Sequence, residues 1–144
     1  MRKLATTALV CLALAAGCSH QQLERTGDKM IRVERGTEGL VAEVVKFKDD
    51  KIAECREQSL PSEAERAACV EPATKLVEGT EPAVQALRAA LITFWELYPV
   101  LEARLEGGER ITPEEIAELS ERAGRVLAEY ATLVETIREA KSKE

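Results

Sequence analysis

The stretch "AVQALRAALITFWELYPVLEARLEGGERITPEEIAELSERAGRVLAEYATLVETI", residues 83–137, decides the fold class. Val84, Leu87, Leu91, Phe94, Tyr98, Leu101 and Leu105 follow one another at spacings of 3, 4, 3, 4, 3 and 4. That period keeps them on one face of an α-helix. Ile116, Leu119, Ala123, Val126, Tyr130, Leu133 and Ile137 repeat the pattern, and Leu127 and Val134 widen it to the breadth of a bundle face. Gly107-Gly108 separates the two stripes and ends the first helix. Thr112-Pro113-Glu114-Glu115 opens the second with a cap, a first-turn proline and acidic residues at the positive end of the helix dipole. Arg138, Lys141 and Lys143 suit its negative end. Two such helices joined by a short turn pack antiparallel.

Upstream, Leu23, Thr26, Met30, Val33, Thr37, Leu40, Val44 and Phe47 form a further helical stripe with threonine at two of its positions, and Ile52 and Cys55 continue it. Gly27, Gly36 and Gly39 read as falling off this stripe, each weakening the helix by about 1 kcal/mol relative to Ala. "SLPSEAE", 59–65, is a turn followed by a helix start, with Ser62 and Glu65 spaced as a capping box. The segment from Ser62 to about Glu78 predicts a short helix, kinked by Pro72 and ended by Gly79, after which Thr80 caps the next. The expected fold is all-α: an up-down antiparallel bundle of three long helices and one short helix, over residues 23–144. Strict apolar/polar alternation is absent, so nothing suggests a β-sandwich.

At the other end of the chain, Arg2 and Lys3 precede an uncharged run, Leu4 to Ala16, that is too short to span a bilayer. It has the form of a secretory signal. The run closes in Ala15-Ala16-Gly17-Cys18, which resembles the lipobox of bacterial lipoproteins, with Ala15 where Leu is usual. The resemblance implies a signal peptide over 1–17, cleavage before Cys18, lipid on the Cys18 sulfur and a lipidated tether over 18–22. Two or three acyl chains anchor stably where one is marginal. Ser19, directly after the cysteine, implies delivery to the outer membrane, facing the periplasm.

Loss of Arg2 and Lys3 would leave 18 basic against 26 acidic residues, a net charge of −8. That balance argues against nucleic acid, which requires a basic face, and against side-chain adhesion to anionic lipid. Cys55 and Cys69 flank the Ser59–Ser62 turn; in an oxidising compartment the pair reads as a disulfide. A redox or metal role is the weaker reading, since no Cys-x-x-Cys pattern is present and two cysteines do not complete a structural zinc site. His20 is the only histidine and lies in the tether, so a His-dependent triad or His-ligated metal site within the bundle is excluded. Phosphate-cradling glycine motifs are absent. No catalytic residue, metal ligand or cofactor is assigned, apart from covalent lipid.

"ITFWELYPVL", 92–101, holds three of the five aromatic residues: Phe94, Trp95 and Tyr98. Pro99 leaves the Trp95 carbonyl without its usual helical donor. Two readings stand: a central helix buried on several sides, or a protein-binding patch anchored by aromatics. The functional expectation is a non-enzymatic, membrane-anchored envelope lipoprotein acting as an assembly or interaction subunit on a protein partner. In size, helicity and cysteines it is similar to secretin pilotins, with no motif shared. Murein-linked lipoprotein is a second comparison, but its terminal Lys is replaced here by Lys143-Glu144. The alternatives are a phage-derived envelope lipoprotein for lysis or superinfection exclusion, and a binder of small apolar ligands in the bundle interior.

Overall fold

The computed structural model describes the backbone of residues 2–142 and the side chains of residues 20–142. Lipidation of Cys18, expected above, concerns a side chain outside that range. Three helices account for nearly all of the described chain: α1 (Arg2–Glu57), α2 (Glu63–Glu106) and α3 (Pro113–Ser142). No strand occurs among the described residues.

The stripes become the core. Met30 and Val33 from α1, Leu87, Phe94 and Leu101 from α2, and Val126, Leu133 and Ile137 from α3 are buried in one continuous cluster. Burying each such side chain contributes about 1.5–3 kcal/mol. Thr37, one of the two threonines on the α1 stripe, is buried and donates its hydroxyl to the Val33 carbonyl one turn back (2.8 Å), so it enters the core with its polar group satisfied.

The expected short helix does not exist as a separate element. α2 runs unbroken from Glu63 through Gly79 and Thr80 to Glu106, with Pro72, Pro82 and Pro99 inside it. Packing explains the continuity. Ala73, Leu76, Thr80, Val84 and Leu87 are all buried and succeed one another at helical spacing, so the apolar face does not stop at the glycine. Thr80 is a core position instead of a cap: its hydroxyl donates to the Val77 carbonyl at 3.0 Å. Tertiary burial outweighs the helix-weakening effect of one Gly and the lost proline N–H groups.

Both anticipated helix starts form. Ser62 Oγ accepts from the Glu65 N–H (3.1 Å), and the Glu65 carboxylate accepts from the Ser62 N–H (3.1 Å). Thr112 and Glu115 make the same reciprocal pair at α3, at 3.2 and 2.8 Å. Gly108, at φ +79°, turns the chain out of α2, a conformation open to glycine.

Contacts between elements set the register. Gly27 of α1 faces Tyr98 of α2, and Cys55 is bonded to Cys69 across the first turn, with Cα atoms 5.9 Å apart. Between α2 and α3, Arg104 pairs with Glu115, and Arg122 donates to the Thr93 carbonyl at 2.6 Å. Between α1 and α3, Gly36 faces Tyr130 and Glu43 pairs with Lys141.

Candidate functional site

The three aromatic residues of the 92–101 segment form one cluster on α2. Phe94 lies at its centre, fully buried; its ring meets Trp95 edge-on at 4.9 Å and stacks on Tyr98 at 5.6 Å. Trp95 and Tyr98 complete the triangle edge-on at 5.3 Å. Phe94 and Tyr98 therefore belong to the core. Trp95 is half-buried, packed against the core with one side of its ring at the surface.

Two features distinguish Trp95. Its indole N–H is buried without a hydrogen-bond acceptor. Such an orphan costs about 1–3 kcal/mol and calls for an explanation. It also lines a surface depression of about 460 Å³ between α1 and α2, together with Glu34, Arg88, Leu91, Ile92 and Glu96. Ile92 in that depression is 60% exposed, a large apolar side chain left in water.

Tyr98 is placed by a residue on the neighbouring helix. Gly27 is buried against its ring: a Cβ added there would sit 2.5 Å from Tyr98 Cζ. Gly36 receives Tyr130 in the same way, with an added Cβ 2.7 Å from Oη. These glycines border the α1 stripe and act as slots, a role that their reading as helix-weakening residues missed. The available signal was numerical: α1 has small residues beside its stripe, and each of the other two stripes carries one tyrosine. The Tyr98 hydroxyl lies 3.4 Å from Glu102. Burial pushes its pKa above the usual phenol value, and the Glu102 carboxylate adds to the effect.

At the α2–α3 turn, charge holds the chain together. Arg104 binds Glu109 at 3.0 Å, Glu115, and the Arg110 carbonyl at 3.0 Å, closing the α2–α3 turn. The Thr112 N–H, followed by the Arg104 guanidinium, holds the Glu115 carboxyl below the usual carboxylate range. Among the described residues, no three His, Cys, Asp or Glu side chains are grouped to hold a metal ion, and no helix is long and apolar enough to cross a membrane. Where all three helices meet, the depression touching Val44, Val84, Leu133 and Ile137 holds about 80 Å³. That is well below the roughly 300 Å³ at which small-molecule sites begin.

No protein-family model, no curated protein and no solved structure matches this chain.

Proposed function

We propose that this chain is a non-enzymatic lipoprotein subunit of a bacterial envelope, with residues 1–17 as a removed signal peptide, lipid on Cys18 and a bundle over 23–144 that binds a protein partner. The three helices run up, down and up. This is supported by the pairing of residue 27 with 98, 104 with 115 and 43 with 141. The anchor places the domain on the periplasmic side of the outer membrane.

The observation that carries this reading is how early in the chain burial begins. Leu23, five positions after Cys18, is already buried at 2% exposure. A lipid on Cys18 would therefore hold the bundle directly against the bilayer with almost no reach. That geometry suits a scaffold acting on a partner at the membrane and does not suit a long-armed periplasmic enzyme. The Cys55–Cys69 disulfide fits an oxidising compartment. The small volume where the helices meet favours an interaction subunit over a binder of apolar ligands in the interior.

The test is the intact mass of the chain extracted with detergent from bacterial membranes. A species beginning at Cys18 and heavier by diacylglycerol and acyl groups is expected. A soluble, unacylated chain cut elsewhere, or retention of residues 1–17, would refute the proposal.

A further inference from the structure

Five large apolar side chains stand exposed on the described surface, and three of them follow the α1/α2 seam. Ile92, 60% exposed, lines the depression beside Trp95. Val45, 48% exposed, lines the adjoining depression with Val77 and Glu81. Ile31, 39% exposed, lies on α1 one turn after Gly27 and one turn before Glu34, hence on the face turned toward α2. Arg88 borders both depressions, so they follow one another along the seam, the second reaching inward to Leu133 and Ile137 of α3. From Ile31 to Val45 the seam extends along α1 for about 21 Å, the length of four helical turns. A seam between two packed helices, lined by apolar side chains at this spacing, is the shape into which a further helix packs.

The rim specifies the helix. Glu34, Glu81 and Glu96 line the seam against Arg88 alone. Among the described residues, Glu34, Glu96 and Arg88 have no ion-pair partner. We infer that the α1/α2 seam is a docking channel for an amphipathic helix of a partner protein, one whose apolar stripe is flanked by Lys or Arg. The inference rests on the reading of this chain as an interaction subunit and adds the chemistry of the partner. A second copy of the chain would bring the same acidic rim against itself, and an anionic lipid surface would be repelled by it.

Trp95, the only tryptophan, reports on the channel directly. The probes are three labelled synthetic peptides of about four to five helical turns. One has a leucine stripe flanked by Lys, one the same stripe flanked by Glu, and one the Lys/Leu composition in scrambled order. Each is titrated into the full lipidated chain reconstituted in phosphatidylcholine vesicles, with protein-free vesicles as blank, following peptide anisotropy and Trp95 emission. Saturable binding of the Lys-flanked peptide with a shift in Trp95 emission is expected, at least about tenfold tighter than either of the others. Ile92→Ser with Val45→Ser, both at exposed positions, should weaken it about tenfold without changing the melting temperature. Glu34→Lys with Glu96→Lys should reverse the preference toward the Glu-flanked peptide. Equal binding of all three peptides, insensitivity to both pairs of substitutions, or self-association through this seam that Ile92→Ser abolishes would overturn the inference. The intact mass of the same preparation separates the two readings: an unacylated chain that still selects the Lys-flanked peptide defeats the anchor and leaves the channel standing.

Discussion

At Gly27 the absence of a side chain is what lets α1 and α2 approach, because the Tyr98 ring occupies the space a Cβ would need. Helix propensity alone argues for Ala at every helical glycine, by up to about 1 kcal/mol. Packing reverses the sign at one position and leaves it at another. Gly27→Ala should destabilise the fold by about 1–3 kcal/mol, the usual cost of overpacking. Gly39→Ala, which meets nothing within 4 Å, should stabilise it by about 0.5–1 kcal/mol. Urea denaturation of the two variants checks this, and the same sign for both would refute the slot. Tyr98 carries a pH signature of the same contact. Its phenol titrates near 10 when unfolded and higher when folded, so folding favours the neutral form. The resulting stability is complete below about pH 10 and is lost as pH rises through the raised value. Tyr98→Phe should therefore lose less stability than the parent as pH rises above about 10. Trp95 contrasts with Tyr98 in having its polar atom buried and unpartnered. Trp95→Ala should cost about 3 kcal/mol through lost packing. Trp95→Phe should cost less than half of that, since it removes the orphaned N–H along with part of the ring. Equal losses for the two variants in the same urea measurement would show that the indole N–H is not a burden.

Among the elements, helix starts and long stripes were legible in the sequence because each depends on residues within one or two turns. Ser62 with Glu65, and Thr112 with Pro113 and Glu115, announce their helices, and both reciprocal caps form. The stripes from Val84 to Leu105 and from Ile116 to Ile137 turn inward as their spacing requires. The continuity of α2 across Gly79-Thr80 was not legible as read, because local signals there favour a break and the deciding contribution comes from burial of Thr80 and Val84 in the shared core. Extending the Val84 stripe backward through Thr80, Leu76 and Ala73 would have revealed it, provided Thr counts as a core residue. The α3 start also has a measurable acid limit. Glu115 is held ionised first by the Thr112 N–H and then by Arg104. A carboxyl lowered by folding contributes stability that is present above its unfolded value of about 4.3 and lost as pH falls through the lowered folded value. Amide exchange in the first turn of α3 should accelerate on acidification in that range. Glu115→Gln should accelerate it already at neutral pH and flatten the acid dependence; an unchanged profile in that variant would exclude Glu115 as the source.

For the whole molecule, the candidate surface was only half legible. Clustering of Phe94, Trp95 and Tyr98 is visible in the sequence, but helical periodicity assigns Phe94 and Tyr98 to the core and leaves Trp95 at its edge, where only the position of α1 decides what it faces. Glu34 of α1 joins Trp95 and Ile92 of α2 through packing between residues more than forty positions apart in the chain, and no local pattern encodes that. The disulfide tests how far the bundle depends on a covalent link for this arrangement. Cys55 and Cys69 are 14 residues apart, and closing such a loop contributes about 3 kcal/mol in the chain-entropy description. The bond sits at one end of the α1/α2 pair, whereas the Gly27–Tyr98 slot and the Phe94 core lie far along both helices. Helix pairing thus has contacts that survive reduction. Reduction, or Cys55→Ser with Cys69→Ser, should lower the melting temperature by about 10 °C while the far-ultraviolet circular dichroism at 25 °C stays unchanged. Since Trp95 lies toward the Gly27 end, its emission at 25 °C should stay the same too. Loss of helicity at 25 °C on reduction would mean that the core does not hold α1 against α2 unaided, and an unchanged melting temperature would mean that the turn is already ordered in the unfolded chain.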